Sequence, residues 1–236
     1  MGQSIFAIIV LSIFTSCQCR QQVTLPISTI DSTLQVNATA ILESKLSEIN
    51  AQSGQVIIME VQTGQIKALV GLTRKDSTNY QSCENFSVWQ STGLMHPISL
   101  LAALETGKVK LSDKVDTGNG IYQIHGRELK DHNWHRGGYG ELTIQEGLAA
   151  SSNIAIYKTM EKAFGDNPQT FFDLLANMSY GKPDSINGIA SLQPYKITEK
   201  NITWNCIGYE QLISPIQVLT FYNAIANNGK MIQPQL

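Results

Sequence analysis

From Trp89 to Lys108 the chain reads W-Q-S-T-G-L-M-H-P-I-S-L-L-A-A-L-E-T-G-K. The run that continues through Leu104 is almost wholly apolar, as a helix buried on most of its faces requires, and Gly107 is a favoured residue just past a helix end. The spacing therefore predicts a central buried helix over Pro97 to Thr106. Upstream, Gln55 to Met59 and Ile66 to Val70 are apolar and β-branched and are separated by Thr63-Gly64, a turn signal, so they read as an antiparallel hairpin. Before the hairpin, Ile41, Leu42, Leu46 and Ile49 fall at helical spacing and predict a helix over Ala38 to Ile49. After the central helix, Asp116 to Gly140 is a Gly- and His-rich excursion and Leu142-Thr143 leads into a helix ending at Ala150. Further helices are expected over Ile154 to Phe164, Thr170 to Met178 and Pro215 to Asn227, the last closed by Asn228-Gly229. Arg74 to Glu84 and Lys182 to Thr203 read as loops.

The opening stretch is followed by Val115-Asp-Thr-Gly-Asn-Gly120 and Ser151-Ser152-Asn153, and this order resembles the transpeptidase domain of class B penicillin-binding proteins, most closely the division-type enzymes. The hairpin line Glu60-Val61-Gln62-Thr63-Gly64-Gln65-Ile66-Lys67-Ala68 is similar to the family's opening strands. The flanks G-L-A-A-S-S-N-I-A-I and F-G-D-N-P, the segment Trp204 to Glu210, Ser214-Pro-Ile-Gln217 and Phe221 to Met231 extend the resemblance from about Ser53 to Leu236. It implies an α+β fold of the penicillin-binding transpeptidase and serine β-lactamase kind, a helical cluster against an antiparallel sheet, here lacking the later strands. Such a sheet would expose an edge on which an envelope or division protein could dock.

In that family a serine and a lysine three residues later (S-x-x-K) open the core helix, S-x-N follows, and K-T-G lies on a later strand. Helix spacing puts Gly93 at the serine and His96 at the lysine. Choosing Ser91 as the nucleophile would put Leu94 at the lysine and would need two extra residues, turning every later side chain by about 200°. The Glu-Pro-Gly that precedes the nucleophile in the family is missing between Thr92 and Gly93, and no K-T-G occurs before Leu236. Gly93 has no side chain to acylate, so His96, which could titrate near neutrality, is expected to have nothing to activate there. Ser151 and Asn153 match the surviving S-x-N. In the family that serine relays protons and the asparagine binds the lysine and a substrate carbonyl; the other reading of these residues is helix capping.

The resulting expectation is a degenerate, C-terminally truncated transpeptidase-like protein without catalysis, holding a peptidoglycan stem peptide or β-lactam non-covalently. The alternative is an active acyl-serine transpeptidase that uses a displaced serine, Ser91 or Ser151, or is completed by a partner chain. No cofactor is implied. The cluster His125, Asp131, His132 and His135 has zinc-ligand chemistry, but its spacing is irregular and the surrounding H-G-R-E-L-K-D-H-N-W-H-R-G-G-Y-G resembles a metal-free family loop, so no metal is expected. Arg136-Gly137-Gly138 reads as a tight turn.

Composition bounds these readings. The 236 residues are 42% hydrophobic and 15% charged, enough to bury one or two cores. A net charge of −2 offers no basic track for nucleic-acid phosphates. Ile5 to Phe14 is apolar but far short of the ~20 residues that span a bilayer, so residues 1–16 are expected to be a signal peptide. Phe14-Thr15-Ser16-Cys17 resembles a loose lipoprotein box, with Cys17 as the lipidation site. The organisation expected is thus a leader, a polar linker over 17–37 and an incomplete transpeptidase-like domain over 38–236, exported to the periplasm or cell envelope. Met1-Gly2 is not a myristoylation signal, because Phe6 stands where Ser or Thr is needed. Cys83 and Cys206 are read as separate thiols, a disulfide being the alternative.

Overall fold

The computed structural model describes residues 5–10, 29–83, 91–182, 195–197 and 201–236. In chain order the elements are β1 (Ile5–Val10), α1 (Ser32–Glu48), β2 (Ser53–Glu60), β3 (Ile66–Arg74), β4 (Tyr80–Ser82), α2 (Met95–Glu105), β5 (Lys114–Asp116), β6 (Ile121–Ile124) and β7 (Arg127–Lys130). They continue with β8 (Glu141–Thr143), α3 (Ile144–Ala149), α4 (Asn153–Phe164), α5 (Gln169–Asn177), β9 (Lys196–Ile197), α6 (Ile202–Asn205), β10 (Gln211–Leu212) and α7 (Pro215–Ala226). The chain divides into two compact units. One comprises residues 1–89, 181–195 and 213–236, the other residues 90–180 and 196–212.

The first unit is built on an antiparallel sheet in the order β1-β2-β3-β4. Both faces of the β2–β3 hairpin are apolar, because successive strand residues point to opposite sides. Val56, Ala68, Val70 and Leu72 pack with Ala38, Leu42 and Leu46 of α1, whereas Ile57, Met59, Ile66 and Leu69 pack with Ile216 and Leu219 of α7. Ile66 and Ala68, two residues apart, belong to opposite faces. The register explains this: Ile58 pairs with Ala68 but Met59 pairs with Ile66, so Lys67 is the extra residue of a β-bulge.

The free edge of β3 is closed piece by piece. Asp31 N–H donates to the Lys67 carbonyl at 2.9 Å, Cys83 N–H to the Gly71 carbonyl at 2.8 Å, and β4 pairs with Leu72 to Arg74. Between them the Gln35 side chain acts as one residue of a missing strand. Its Nε2 donates to the Leu69 carbonyl at 2.9 Å and its Oε1 accepts from the Leu69 N–H at 2.8 Å. Helix α1 is started by Asp31, whose carboxylate accepts from the Leu34 N–H at 2.9 Å.

Several expectations are corrected here. The first helix starts at Ser32, inside the stretch read as linker, because Asp31 caps it there. Its inward stripe is Ala38, Leu42 and Leu46, while Ile41 and Ile49 face solvent. The loop over Arg74 to Glu84 contains β4, and the outer edge of β2 is not bare. Ile5 to Val10, the first part of the stretch read as a signal peptide, pairs with it from Ile5 opposite Glu60 to Val10 opposite Gln55. Cys17 lies outside the described residues. Cys83 and Cys206 are not joined in a disulfide, in keeping with the reading as separate thiols.

In the second unit α2 and α4 pack against one another, and α3 and α5 pack on α4. Met95, Ile98, Ala102, Ile154, Met160 and Phe171 are all fully buried. The Gly- and His-rich excursion is more regular than its composition suggests. It holds the β6–β7 hairpin, and its two ends pair as β5 and β8. Where its end returns to its start Gly138 has φ +74, and a Cβ there would fall 2.2 Å from the Asn119 carbonyl carbon, so only glycine allows this approach.

The edge closure makes a prediction. Gln35→Ala should destabilise the chain by about 1–3 kcal/mol through the two Leu69 groups left unpaired, measured by denaturant unfolding. A loss below about 0.3 kcal/mol would mean that water replaces the side chain without cost.

Candidate active site

His96 sits in the first turn of α2, which is entered through a 3-10 turn over Thr92–Leu94. It is 1% exposed. Its Nε2 lies 3.1 Å from Asn153 Oδ1 and its Nδ1 lies 3.3 Å from Ser151 Oγ. The imidazole thus bridges the two residues read as the surviving S-x-N. Residue 93 offers it no hydroxyl, as expected, but the hydroxyl of Ser151 lies within hydrogen-bond distance of the ring.

The network has a direction. Asn153 Nδ2 donates to the Lys130 carbonyl at 2.9 Å, so the amide oxygen is the face turned to His96. An amide oxygen only accepts, so His96 Nε2 must carry the proton and Nδ1 must be the bare acceptor. That acceptor faces Ser151. Burial holds the His96 pKa down at about 4, against a smaller upward pull from Asn153, so the ring is neutral at neutral pH.

The backbone that carries these groups is tightly held. Ser152, not Ser151 or Asn153, caps α4: its Oγ accepts from the Ala155 N–H at 3.0 Å. Asp131, fully buried, accepts from the Ser152 hydroxyl at 2.8 Å and from the Ile154 N–H at 3.1 Å. Burial raises the Asp131 pKa, opposed by those hydrogen bonds at the helix N-terminus. Gly147 of α3 makes the approach to α4 possible, since a Cβ there would lie 2.5 Å from that of Ala155. With capping assigned to Ser152, Ser151 is left exposed in the left-handed region at φ +51, a conformation that costs a non-glycine residue about 1–3 kcal/mol.

The other sequence candidates are placed elsewhere. Gly93 faces the same site: a Cβ on it would stand 3.2 Å from Ser151 Oγ and 4.0 Å from His96 Cε1. Ser91 is completely buried, its hydroxyl has no hydrogen-bond partner among the described residues, and Gly208 packs so closely that a Cβ there would fall 2.6 Å from it. His125, Asp131, His132 and His135 do not converge. His132 Nε2 lies 2.9 Å from the Tyr139 hydroxyl, His135 stands edge-on to Trp134, and no metal-binding group of three or more ligands occurs among the described residues. Sequence reasoning missed the parts played by Asp131 and the Lys130 carbonyl. The only sequence signal for them was the K-D-H-N line of the family-like loop.

Residues 54–236 match the family model of the penicillin binding protein transpeptidase domain. The chain belongs to this family. Its relatives include the peptidoglycan D,D-transpeptidase FtsI of Escherichia coli (strain K12), 24% identical over 85% of this chain and 35% of that protein, and the FtsI homolog of Mesostigma viride, 24% identical over 88% and 38%. Penicillin-binding protein 1A of Streptococcus oralis is 30% identical over 75% of this chain and 26% of that protein. The chain therefore spans little more than a third of the length of the FtsI relatives. In fold it is similar to a peptidoglycan glycosyltransferase from Burkholderia ambifaria, with TM-score 0.70 and 24% identity over 88% of this chain and 63% of that one. The TP domain of Burkholderia pseudomallei penicillin-binding protein 3 gives the same TM-score at 22% identity, covering 88% of this chain and 60% of that one. The architecture is the α+β penicillin-binding fold.

The neutral His96 makes stability pH-dependent. An unfolded imidazole takes up its proton near 6.5 and the folded one only near 4, so between these values the unfolded state binds more protons and stability falls as pH falls. The loss should approach about 3 kcal/mol across the window. His96→Gln should flatten that part of the profile, measured by denaturant unfolding at a series of pH values; identical slopes for the two proteins would contradict it.

Proposed function

We propose that this chain is an exported cell-envelope protein that engages peptidoglycan stem peptides or β-lactams without forming the family's acyl-enzyme at the position where the family carries its serine. The carrying observation is Gly93. It stands at the serine position of S-x-x-K, its missing side chain would point at Ser151 and His96, and the lysine position holds a buried imidazole that is neutral at neutral pH. A serine hydroxyl activated by a basic neighbour is what that chemistry requires, and residue 93 supplies no hydroxyl. Family membership supports the ligand class, and the peptidoglycan D,D-transpeptidases among the relatives are the source of the stem-peptide reading.

Export is supported by the short apolar stretch Ile5 to Phe14 followed by Phe14-Thr15-Ser16-Cys17. Cleavage before Cys17 would remove β1 and bare the β2 edge from Gln55 to Glu60, where a strand of an envelope or division protein could pair.

The full chain should be incubated with a fluorescent penicillin and with a stem pentapeptide, binding being followed by fluorescence anisotropy and calorimetry. Tryptic fragments are then weighed by mass spectrometry. Saturable binding with no adduct on the fragment carrying Gly93 is the expected result. An adduct on residues 91–108, or no binding of either ligand, would overturn the reading.

A further inference from the structure

We propose that Ser151, His96 and Asn153 form a relocated acyl-transfer relay, with Ser151 as nucleophile, His96 as its base and Asn153 as the residue that positions the base. The inference rests on the ligand class proposed above only for its β-lactam probe. The relay itself stands on this chain's geometry. Three observations converge on Ser151. Its Oγ lies 3.3 Å from His96 Nδ1, the ring nitrogen that the Lys130–Asn153–His96 chain of hydrogen bonds leaves as the acceptor. It is exposed, although the base beside it is buried. And its position is fixed by the end of α3: Ser151, at φ +51, is the left-handed residue that closes that helix, its N–H donating to the Leu148 carbonyl at 3.0 Å and the Ser152 N–H to the Gly147 carbonyl at 2.9 Å. An exposed hydroxyl held beside a buried base is the arrangement an activated serine requires.

Gly93 fits the same account. A side chain there would begin 3.2 Å from Ser151 Oγ and would stand in front of it. Glycine at 93 opens the approach to Ser151, and histidine at 96 provides a base that reaches Ser151 from one nitrogen while the other is anchored. The two departures from the family pattern are thereby complementary.

The reaction balances without any cofactor. Ser151 Oγ attacks the carbonyl carbon of an acyl donor as its proton passes to His96 Nδ1, and the imidazolium is held through Nε2–H donating to Asn153 Oδ1. The tetrahedral adduct collapses, the bond from carbon to the leaving amine or alcohol breaks, and the leaving group takes the proton from Nδ1. This gives an acyl ester on Ser151. Water attacks that ester with His96 again accepting the proton, releases the carboxylic acid and restores the serine. Because burial disfavours the imidazolium, the relay is suited to activated acyl donors, strained β-lactams and aryl esters, rather than to ordinary peptide bonds.

The test uses the full chain with p-nitrophenyl acetate and a fluorescent penicillin, and mass spectrometry locates any adduct. The expected results are an acyl adduct on Ser151 and an ester hydrolysis rate that falls about a hundredfold in Ser151→Gly, a variant that relieves the φ +51 strain and so keeps the fold. In Asn153→Ala the acylation rate constant should fall while the apparent Kd for penicillin holds, which a merely structural role would not produce. As an independent readout, the thiol of Ser151→Cys should react with iodoacetamide several-fold faster than that of Ser151→Cys combined with His96→Gln. No adduct at Ser151 and equal alkylation rates would overturn the relay. Penicillin binding without an adduct sinks the relay and leaves the ligand reading standing; ester hydrolysis through Ser151 without penicillin binding does the reverse.

Discussion

The hydrogen bond from Asn153 Nδ2 to the Lys130 carbonyl is the constraint on which the site depends. An amide that turned over would set its oxygen against that carbonyl, two acceptors at contact distance with no proton between them, at a cost of about 1–3 kcal/mol. The orientation is therefore fixed, and it passes through the buried ring of His96 to the surface hydroxyl of Ser151. The direction of the hydrogen bonds from Asn153 through His96 to Ser151 follows from one backbone oxygen at the end of β7.

That oxygen is useful only because its neighbours are rigid. Asp131, the next residue, is buried and fastens the first turn of α4 by a side-chain and a backbone hydrogen bond, so the hairpin and the helix carry the site as one piece. Burial of the carboxylate is tolerated because the helix N-terminus and the Ser152 hydroxyl satisfy it. The close contact of Gly147 with Ala155 sets α3 against the same helix and forces the sharp link through Ser151. The positive φ of Ser151 is what this link costs.

The hairpin, the buried central helix and most later helices were legible because periodicity alone specifies them. The resemblance through S-x-N pointed to the fold that the family match and the structural neighbours bear out. What was not legible came from contacts distant in sequence. Gln35 looked like one more polar residue of a linker, yet it stands in for a strand against Leu69, 34 residues away. His96 looked stranded because Gly93 offered nothing to activate, but its partners are 55 and 57 residues further on. Ser152 rather than Ser151 caps α4, and two adjacent serines give no sequence signal for which is which. The outer strand Ile5–Val10 was hidden for a different reason: a short apolar run serves equally as a leader or as a sheet edge, and composition does not choose between them.

The central claim is that His96 is a neutral ring protonated on Nε2, with Nδ1 bare and turned to Ser151. The most direct measurement is the 15N spectrum of the imidazoles in the full chain at neutral pH, with His96 assigned by comparison with His96→Gln. The account predicts one His96 nitrogen with the shift of a protonated pyrrole type, assigned to Nε2, and one with the shift of a bare pyridine type, assigned to Nδ1. A ring protonated on Nδ1, or on both nitrogens, would contradict it.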